Sequence, residues 1–182
     1  DINERFAVTA EDRVLALSAL GFDLAVYDVF GPLAAGGAVV VPEPSAARDP
    51  QRWLALLQEQ RVTLWNSVPA LMEMLVEHGA GRPGALGFPL RAVTMSGDWI
   101  PPGLPDRIRA AFPGVRIVGM GGATEASIWS IHYPIGEVGQ DFAARADAGQ
   151  ALEDVGIEHF VDRGGGTGGR VEMRRFERNA DD

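Results

Sequence analysis

The stretch GFDLAVYDVFGPLAAGGAVVV, residues 21–41, contains a helix and a strand that decide the fold class. Apolar residues recur at helical spacing in its first part, which predicts a helix over residues 23–35. Two glycines then end the helix, and the β-branched run behind them predicts a strand over residues 38–41. Within residues 24–41, an aspartate, a proline and three glycines interrupt the apolar residues, so the stretch does not have the pattern of a membrane-spanning helix.

The same alternation of strand and helix continues along the chain to about residue 133. Further strands are predicted over residues 14–17, 62–65, 92–95, 115–119 and 128–133. Further helices are predicted over residues 50–59, 69–78 and 104–112. Strands that alternate with helices form βα units, in which the crossover helices cover a parallel sheet. The predicted fold class is therefore α/β, with a mainly parallel sheet and helices on both faces.

Two helix starts have residues suited to capping. Asp49 precedes Pro50, which is the arrangement typical of an N-cap followed by proline at the first helical position. Ser67, two residues before Pro69, is predicted to cap the next helix.

The chain has two parts of different composition. Residues 1–135 carry the regular pattern, whereas residues 136–182 are charge-dense and rich in glycine and arginine. One further helix is predicted over residues 142–152, and the rest of this second part is expected to be weakly ordered. The chain opens in mid-pattern without an initiator methionine, which suggests a piece of a longer protein.

Composition excludes several kinds of site and partner. The net charge of −9 opposes binding to a phosphate backbone, so no nucleic-acid partner is expected. The sequence contains no cysteine, which excludes disulfides and thiolate chemistry, and no lysine, which excludes a Schiff base. No signal peptide or membrane span is recognisable, so we expect a cytoplasmic protein without a membrane partner.

A first candidate for ligand binding lies at the start of the predicted helix over residues 23–35. Asp23 and Tyr27 are four residues apart, so a helix places a carboxylate beside an aromatic ring on one face. Such a carboxylate could receive an ammonium group. The alternative is that Asp23 only caps the helix.

Two further candidate segments follow predicted strands. In the segment over residues 120–129, Thr124 offers a hydroxyl to a phosphate and Glu125 offers oxygens to magnesium, while an ordinary tight turn is the alternative. The segment over residues 94–102 also runs from a strand end into a glycine turn. Because open α/β sheets bind ligands at the carboxyl ends of their strands, both segments are predicted to face one crevice.

Taken together, these segments resemble the amino-acid adenylation domains of nonribosomal peptide synthetases, within the adenylate-forming superfamily. The resemblance covers residues 1 to about 137 and is carried by FDLAVYDVFGPLAAGG (22–37), VTLWNSVPALMEML (62–75), SGDWIP (96–101) and GGATEASIWS (121–130). It implies part of the large N-terminal subdomain of such a domain. The implied activity is ATP-dependent conversion of an amino acid to aminoacyl-AMP, followed by transfer to a carrier protein.

The resemblance implies a set of substrate-binding residues. Asp23 would pair with the α-ammonium group of the amino acid. The side-chain pocket would be lined by Leu24, Tyr27, Asn66, Thr94, Ser96, Met120, Ile128 and Trp129. This set is similar to that of the cysteine-activating subgroup, so cysteine is the expected substrate and serine the expected competitor.

The resemblance also implies contacts to the nucleotide and its metal. ATP would be bound by Gly97, Gly121, Gly122, Ala123, Thr124 and Glu125. Glu125 would also bind Mg²⁺. The family's lysine-bearing phosphate loop and its C-terminal catalytic subdomain are not recognisable, so the isolated chain is expected to be inactive. A small accessory protein of the synthetase is a further partner that the resemblance allows.

Two other interpretations stay open on the sequence. One is a degenerate adenylation domain that acts as a non-catalytic scaffold or docking module. The other is a truncated, methyltransferase-interrupted adenylation domain, because VDRGGGTGG (161–169) matches the first motif of methyltransferases that use S-adenosylmethionine. A flexible glycine linker explains the same residues.

Histidine and tryptophan residues supply weaker signals. His78, His132 and His159 lack the spacing of metal ligands and are predicted to lie on the surface or in loops. Trp53 and Trp65 fall on a predicted helix and a predicted strand, which favours a place in the core.

Overall fold

The computed structural model describes residues 2–79, 89–122, 124 and 128–136. They belong to the first of two units into which the chain divides, residues 1–138. The helix predicted over residues 142–152 and nearly all of the predicted tail lie outside the described residues. Across the described ranges, no helix combines the length and the apolar character needed to cross a membrane.

Helices and strands alternate along the described chain. In order they are α1 (Ile2–Arg5), β1 (Arg13–Leu15), α2 (Leu24–Ala34), β2 (Ala38–Val40), α3 (Pro50–Glu59), β3 (Leu64–Ser67), α4 (Pro69–Gly79), β4 (Ala92–Met95), α5 (Leu104–Ala111), β5 (Arg116–Gly121) and β6 (Ile131–Pro134). A short 3₁₀ helix, Pro44–Ala46, precedes α3. The predicted α3 and β4 have the observed bounds. The other predicted elements differ from the observed ones by one to three residues at one or both ends.

The six described strands form one sheet in the order β2-β1-β3-β4-β5-β6. Neighbouring strands from β2 to β5 are parallel, and β6 alone among them pairs antiparallel, with β5. Parallel neighbours require crossover connections, and α2 to α5 supply them. This architecture confirms the predicted α/β class with a mainly parallel sheet.

The two faces of the sheet have separate hydrophobic cores, since successive residues of a strand point to opposite sides. On one side, Trp65 and its strand neighbours pack with residues of α3, α4 and α5. Trp53 and Trp65 are both fully buried there, with ring centroids 5.9 Å apart, which confirms that they are core residues. On the other side, Phe6 packs with Leu64 and alternate residues of the central strands.

Helix α2 covers this second face. Asn66 follows Leu64 by two residues on β3 and therefore points to the same side, where it contacts Leu24 and Asp28 of α2. Thr94 lies beside Asn66 in the register of β3 and β4. The second face thus carries Asn66 and Thr94, two of the polar residues that the family resemblance implies for the side-chain pocket.

Some element ends differ from the prediction because backbone conformation overrides the apolar pattern. The strand predicted from residue 128 begins only at Ile131, because Ile128 has φ +71°, outside the extended region. The strand predicted from residue 62 begins at Leu64, because Arg61 has φ +52° and the Val62 amide still donates to Leu57 O of the preceding helix, at 3.1 Å. Helix α1 was not predicted, since four residues are too few for a helical period.

The two capping predictions have different outcomes. Asp49 accepts hydrogen bonds from the amides of Gln51 and Arg52, at 3.0 and 3.2 Å, and Pro50 occupies the first turn, which confirms the N-cap. The prediction for Ser67 is wrong. Its hydroxyl accepts a hydrogen bond from the indole of Trp65 and donates to Val68 O, both at 2.8 Å, so a core side chain and the next backbone carbonyl already use it.

A partly buried ion pair joins the start of the chain to the middle of the sheet. Two guanidinium nitrogens of Arg91 donate to the two carboxylate oxygens of Asp12, each at 2.7 Å. Thr63 donates to the same carboxylate at 2.7 Å, and Arg91 also donates to Phe6 O at 2.8 Å. Burial alone would raise the pKa of Asp12, but the bonds from Arg91, Thr63 and the Thr9 amide outweigh it and lower that pKa to about 2.

Candidate functional site

Asp23 stands at the N-cap of α2, but its side chain makes no capping hydrogen bond. Its Oδ2 instead accepts a hydrogen bond from the Thr124 hydroxyl, at 2.6 Å. The interpretation that Asp23 only caps the helix is therefore wrong. Its carboxylate is turned toward the segment that follows β5.

Trp129 joins the same segment to the other two candidate segments. Its indole nitrogen donates to Ser96 Oγ at 3.0 Å, just after β4. Its ring meets Tyr27 of α2 edge to face, with centroids 5.2 Å apart. The start of α2, the turn after β4 and the segment after β5 thus meet at one place, at the carboxyl ends of β4 and β5.

The turn after β4 lies directly against the start of α2. Gly97 has φ +81°, a conformation that favours glycine. A β-carbon added there would lie 3.4 Å from the ring of Phe22 and 3.4 Å from Val68. A β-carbon at position 97 would therefore make only van der Waals contacts and would fit. The positive φ of the turn is what requires glycine.

Polar side chains connect β3, β4 and α2 beneath this meeting point. Asn66 and Thr94 are buried, with 2% and 6% of their surface exposed. The Thr94 hydroxyl donates to Asn66 Oδ1 at 3.0 Å, and Asn66 Nδ2 donates to Asp28 Oδ1 at 2.8 Å. Asn66 Nδ2 also lies 3.4 Å from Leu24 O, which brings a third predicted pocket residue into the network.

Asp28 was not among the predicted site residues. Its side chain is fully buried, and within the described part of the chain Oδ2 has no hydrogen-bond partner. Burial raises the pKa of Asp28 to about 6, against the opposing effect of Asn66 and Ser18. The available signal in the sequence was an acidic residue inside an apolar helix, one position after Tyr27.

A small recess lies beside this network. It is lined by Phe6, Tyr27, Leu64, Trp65, Asn66, Ala92 and Thr94. Three of these were predicted as pocket residues, whereas Phe6 was missed because it follows the unpredicted helix α1. Burial raises the pKa of Tyr27 to about 12, so its hydroxyl stays protonated and donates to Asn3 Oδ1 at 3.3 Å.

Met120 and Ile128 occupy different places in the site. Met120 is buried in the core on the α2 side of the sheet, and Trp129 packs against the same core. Ile128 is partly buried and has φ +71°, a strained angle for a β-branched residue. Gly122 makes room for this conformation, because a β-carbon there would overlap Ile128 O.

Replacing Gly122 with alanine is expected to destabilise the protein by about 2 kcal/mol, because the new methyl group overlaps backbone atoms of Ile128 and Ser130. The matched control is Gly121→Ala, whose methyl group would meet Ile131 at 3.8 Å, an ordinary contact distance. Urea unfolding followed by circular dichroism compares the two variants. Equal stability of both would contradict the assigned role of Gly122.

Part of the predicted nucleotide site lies outside the residues that the structure describes. Ala123 and Glu125 lie outside the described residues, and so does His159. Among the residues that are described, no three of His, Asp and Glu form a group that could hold a metal ion. His78 and His132 are exposed, in agreement with the surface positions predicted for them.

Comparison with known proteins identifies the family. The family model of AMP-binding enzymes matches residues 1–163. Pyochelin synthetase PchF of Pseudomonas aeruginosa is 46% identical over 164 residues, which is 90% of this chain and 9% of PchF. Bacitracin synthase 1 of Bacillus licheniformis is 44% identical over 142 residues, which is 78% of this chain and 3% of that protein.

Solved structures agree with the sequence comparison. The nonribosomal peptide synthetase FmoA3 with bound AMPPNP is 52% identical, with a TM-score of 0.73 over 77% of this chain and 15% of FmoA3. Its form with bound α-methyl-L-serine-AMP gives a TM-score of 0.72 at the same identity, over 77% of this chain and 16% of FmoA3. The chain thus spans a small share of these relatives. It belongs to the family of AMP-binding enzymes and corresponds to part of a nonribosomal peptide synthetase adenylation domain.

Proposed function

We propose that this chain forms the amino-acid-selecting part of an adenylation domain, which in its complete form converts an amino acid and ATP to aminoacyl-AMP. The observation that carries the proposal is the meeting of three segments around Asp23, Ser96 and Trp129. The aminoacyl group would then pass to a carrier protein.

Asp23 has the chemistry and the position to hold the α-ammonium group of the amino acid. Its carboxylate is free of helix capping and already accepts a hydrogen bond from an exposed hydroxyl, that of Thr124. An ammonium group that replaces this hydroxyl would form a charge-assisted bond, which is stronger than a neutral one. Asp23 would therefore orient the backbone of the substrate.

The proposed side-chain pocket is small and mostly apolar, and it is bounded by the ring of Tyr27. Asn66 and Thr94 contribute its buried polar groups, and Ser96 lies nearby. Such a pocket suits a compact amino acid, with cysteine favoured and serine as competitor. The serine-like amino acid in the name of the FmoA3 complex supports the same size and polarity.

ATP and Mg²⁺ would be held at the turn after β5. The described residues there fit a nucleotide, since Gly122 and Thr124 are exposed and Thr124 presents a hydroxyl. We assign phosphate binding to Thr124 and metal binding to Glu125. Bound ATP supplies the adenylyl group, with pyrophosphate as the leaving group. The 182 residues contain no lysine, so a lysine that stabilises the transferring phosphate would have to come from outside them.

Calorimetry with non-hydrolysable aminoacyl sulfamoyladenosines tests the proposed function. The 182-residue chain is expected to bind the cysteinyl compound more tightly than the phenylalanyl compound, because the recess beside Tyr27 is too small for a large ring. Equal affinities for the two compounds would contradict the proposed side-chain pocket.

Amino-acid-dependent pyrophosphate exchange is expected to be undetectable with this chain alone. Robust exchange would show that the catalytic groups lie within these 182 residues.

A further inference from the structure

Asp28 is a fully buried acidic residue that the proposed function has not used. It lies on the inner side of α2, five residues after Asp23, and its Oδ1 accepts a hydrogen bond from the amide of Asn66. A buried carboxylate is costly unless it is hydrogen-bonded. Asn66 supplies such a bond, at 2.8 Å, and Ser18 is a further donor.

This contact determines which end of the Asn66 amide faces which neighbour. A carboxylate only accepts hydrogen bonds, so the Asn66 nitrogen, which is the donor, must turn toward Asp28. The carbonyl oxygen of Leu24 is a second acceptor on the same side, although its distance of 3.4 Å makes it the weaker one. The amide oxygen of Asn66 must then point away from α2, where Thr94 donates to it at 3.0 Å.

The amide oxygen lies on the side of the recess. Thr94 lines the recess together with Asn66, whereas neither Asp28 nor Leu24 belongs to its lining. An amide oxygen has two lone pairs, and Thr94 uses one of them. No second donor from the described residues is recorded at this oxygen, so its other lone pair can accept a hydrogen bond from a substrate side chain.

We propose that Asp28 is a positioning residue for substrate selection, which holds Asn66 so that its amide oxygen selects amino acids with a hydrogen-bond donor in the side chain. The donor would be a thiol or a hydroxyl at the γ position. This inference rests on the proposed function and extends it to a residue outside the pocket lining. Without Asp28, the amide could turn over and present its NH₂ group instead.

Seryl and 2-aminobutyryl sulfamoyladenosine are suitable probes, since they differ only in a hydroxyl and a methyl group at the γ position. The wild-type chain is expected to bind the seryl compound about 5- to 30-fold more tightly, which is the range of a single hydrogen bond in a site of this kind. In Asp28→Ala, this ratio is expected to fall at least threefold. The ratio is the readout, because a loss of structure alone would weaken both compounds together.

Asp28→Asn is the matched control. Its side-chain oxygen can accept the Asn66 hydrogen bond, and its nitrogen would replace Oδ2, which has no partner among the described residues. This variant is expected to keep most of the wild-type ratio. If Asp28→Ala does not fold, Asp28→Val replaces it, because valine fills more of the volume and still offers no acceptor.

The outcomes separate this inference from the proposed function. If the wild-type chain binds neither compound, the proposed function is wrong. If the wild-type chain binds both equally, or if Asp28→Ala keeps the wild-type ratio, only the role of Asp28 is overturned. The role is also overturned if Asp28→Asn loses the ratio as fully as Asp28→Ala, since orientation would then not be the cause.

Discussion

Asp23→Ala is expected to weaken binding of cysteinyl sulfamoyladenosine to the 182-residue chain by about 10- to 100-fold. This range corresponds to the loss of one hydrogen bond between charged groups, worth about 1.5–3 kcal/mol. In the absence of substrate, the carboxylate is satisfied by the Thr124 hydroxyl rather than by the helix. Its removal therefore leaves the N-terminus of α2 with the same capping bonds and takes away the ammonium partner.

Two controls separate this effect from a general loss of structure. An analogue that lacks the α-amino group should bind equally to the wild type and to Asp23→Ala, because it has no ammonium to lose. Asp106→Ala removes an exposed carboxylate of α5 that is paired with Arg109, and it should bind the cysteinyl compound as the wild type does. If Asp23→Ala binds that compound with wild-type affinity, Asp23 is not the ammonium partner.

Asp12→Ala is expected to destabilise the chain by about 2 kcal/mol, less than the loss for breaking a fully buried ion pair. The loss is smaller because the Arg91 side chain is 38% exposed and can regain water, while Asp12 is 5% exposed. Thr63 and the Thr9 amide would lose their acceptor as well. Urea unfolding at neutral pH measures the difference.

The pH dependence of the same variant gives a second measurement. The pKa of Asp12 is lowered from 3.8 to about 2 in the folded protein, so its contribution is present above about pH 4 and is lost as the pH falls toward 2. The stability difference between wild type and Asp12→Ala should shrink over that interval. Asp49→Ala is the matched control, because it removes an exposed capping aspartate and should cost only about 1 kcal/mol. Equal losses for the two variants would contradict the role given to Asp12.

Most of the fold could be predicted because its signals are local. The apolar periods of α3 and β4 and the Asp49-Pro50 start of α3 are contained in short windows of sequence, and the structure has them at the predicted residues. The parallel arrangement followed from the alternation of strands and helices. Helix α1 and the late start of β6 depend on backbone angles and on contacts with distant residues, which no local pattern reports.

The candidate site could be predicted where a residue follows a strand or begins a helix. Asp23 was found in this way, whereas Ser96 and Trp129 were implied by the family resemblance, and the structure brings the three segments together. Asp28 was missed because its importance depends on Asn66, which lies 38 residues away in sequence and meets it only after β3 and α2 have packed. Phe6 was missed because it follows helix α1, which is too short for a local pattern to predict.

The buried contact between Asp28 and Asn66 has a consequence for the redesign of this pocket. An exchange of Asn66 for an apolar residue would remove the hydrogen bond of 2.8 Å that the Asn66 amide donates to Asp28, while the carboxylate stays fully buried. A library that varies only the pocket lining would therefore select against such exchanges for reasons of folding rather than of recognition. Simultaneous variation of both positions, one on the strand and one on the helix, would open amino-acid preferences that single substitutions cannot reach.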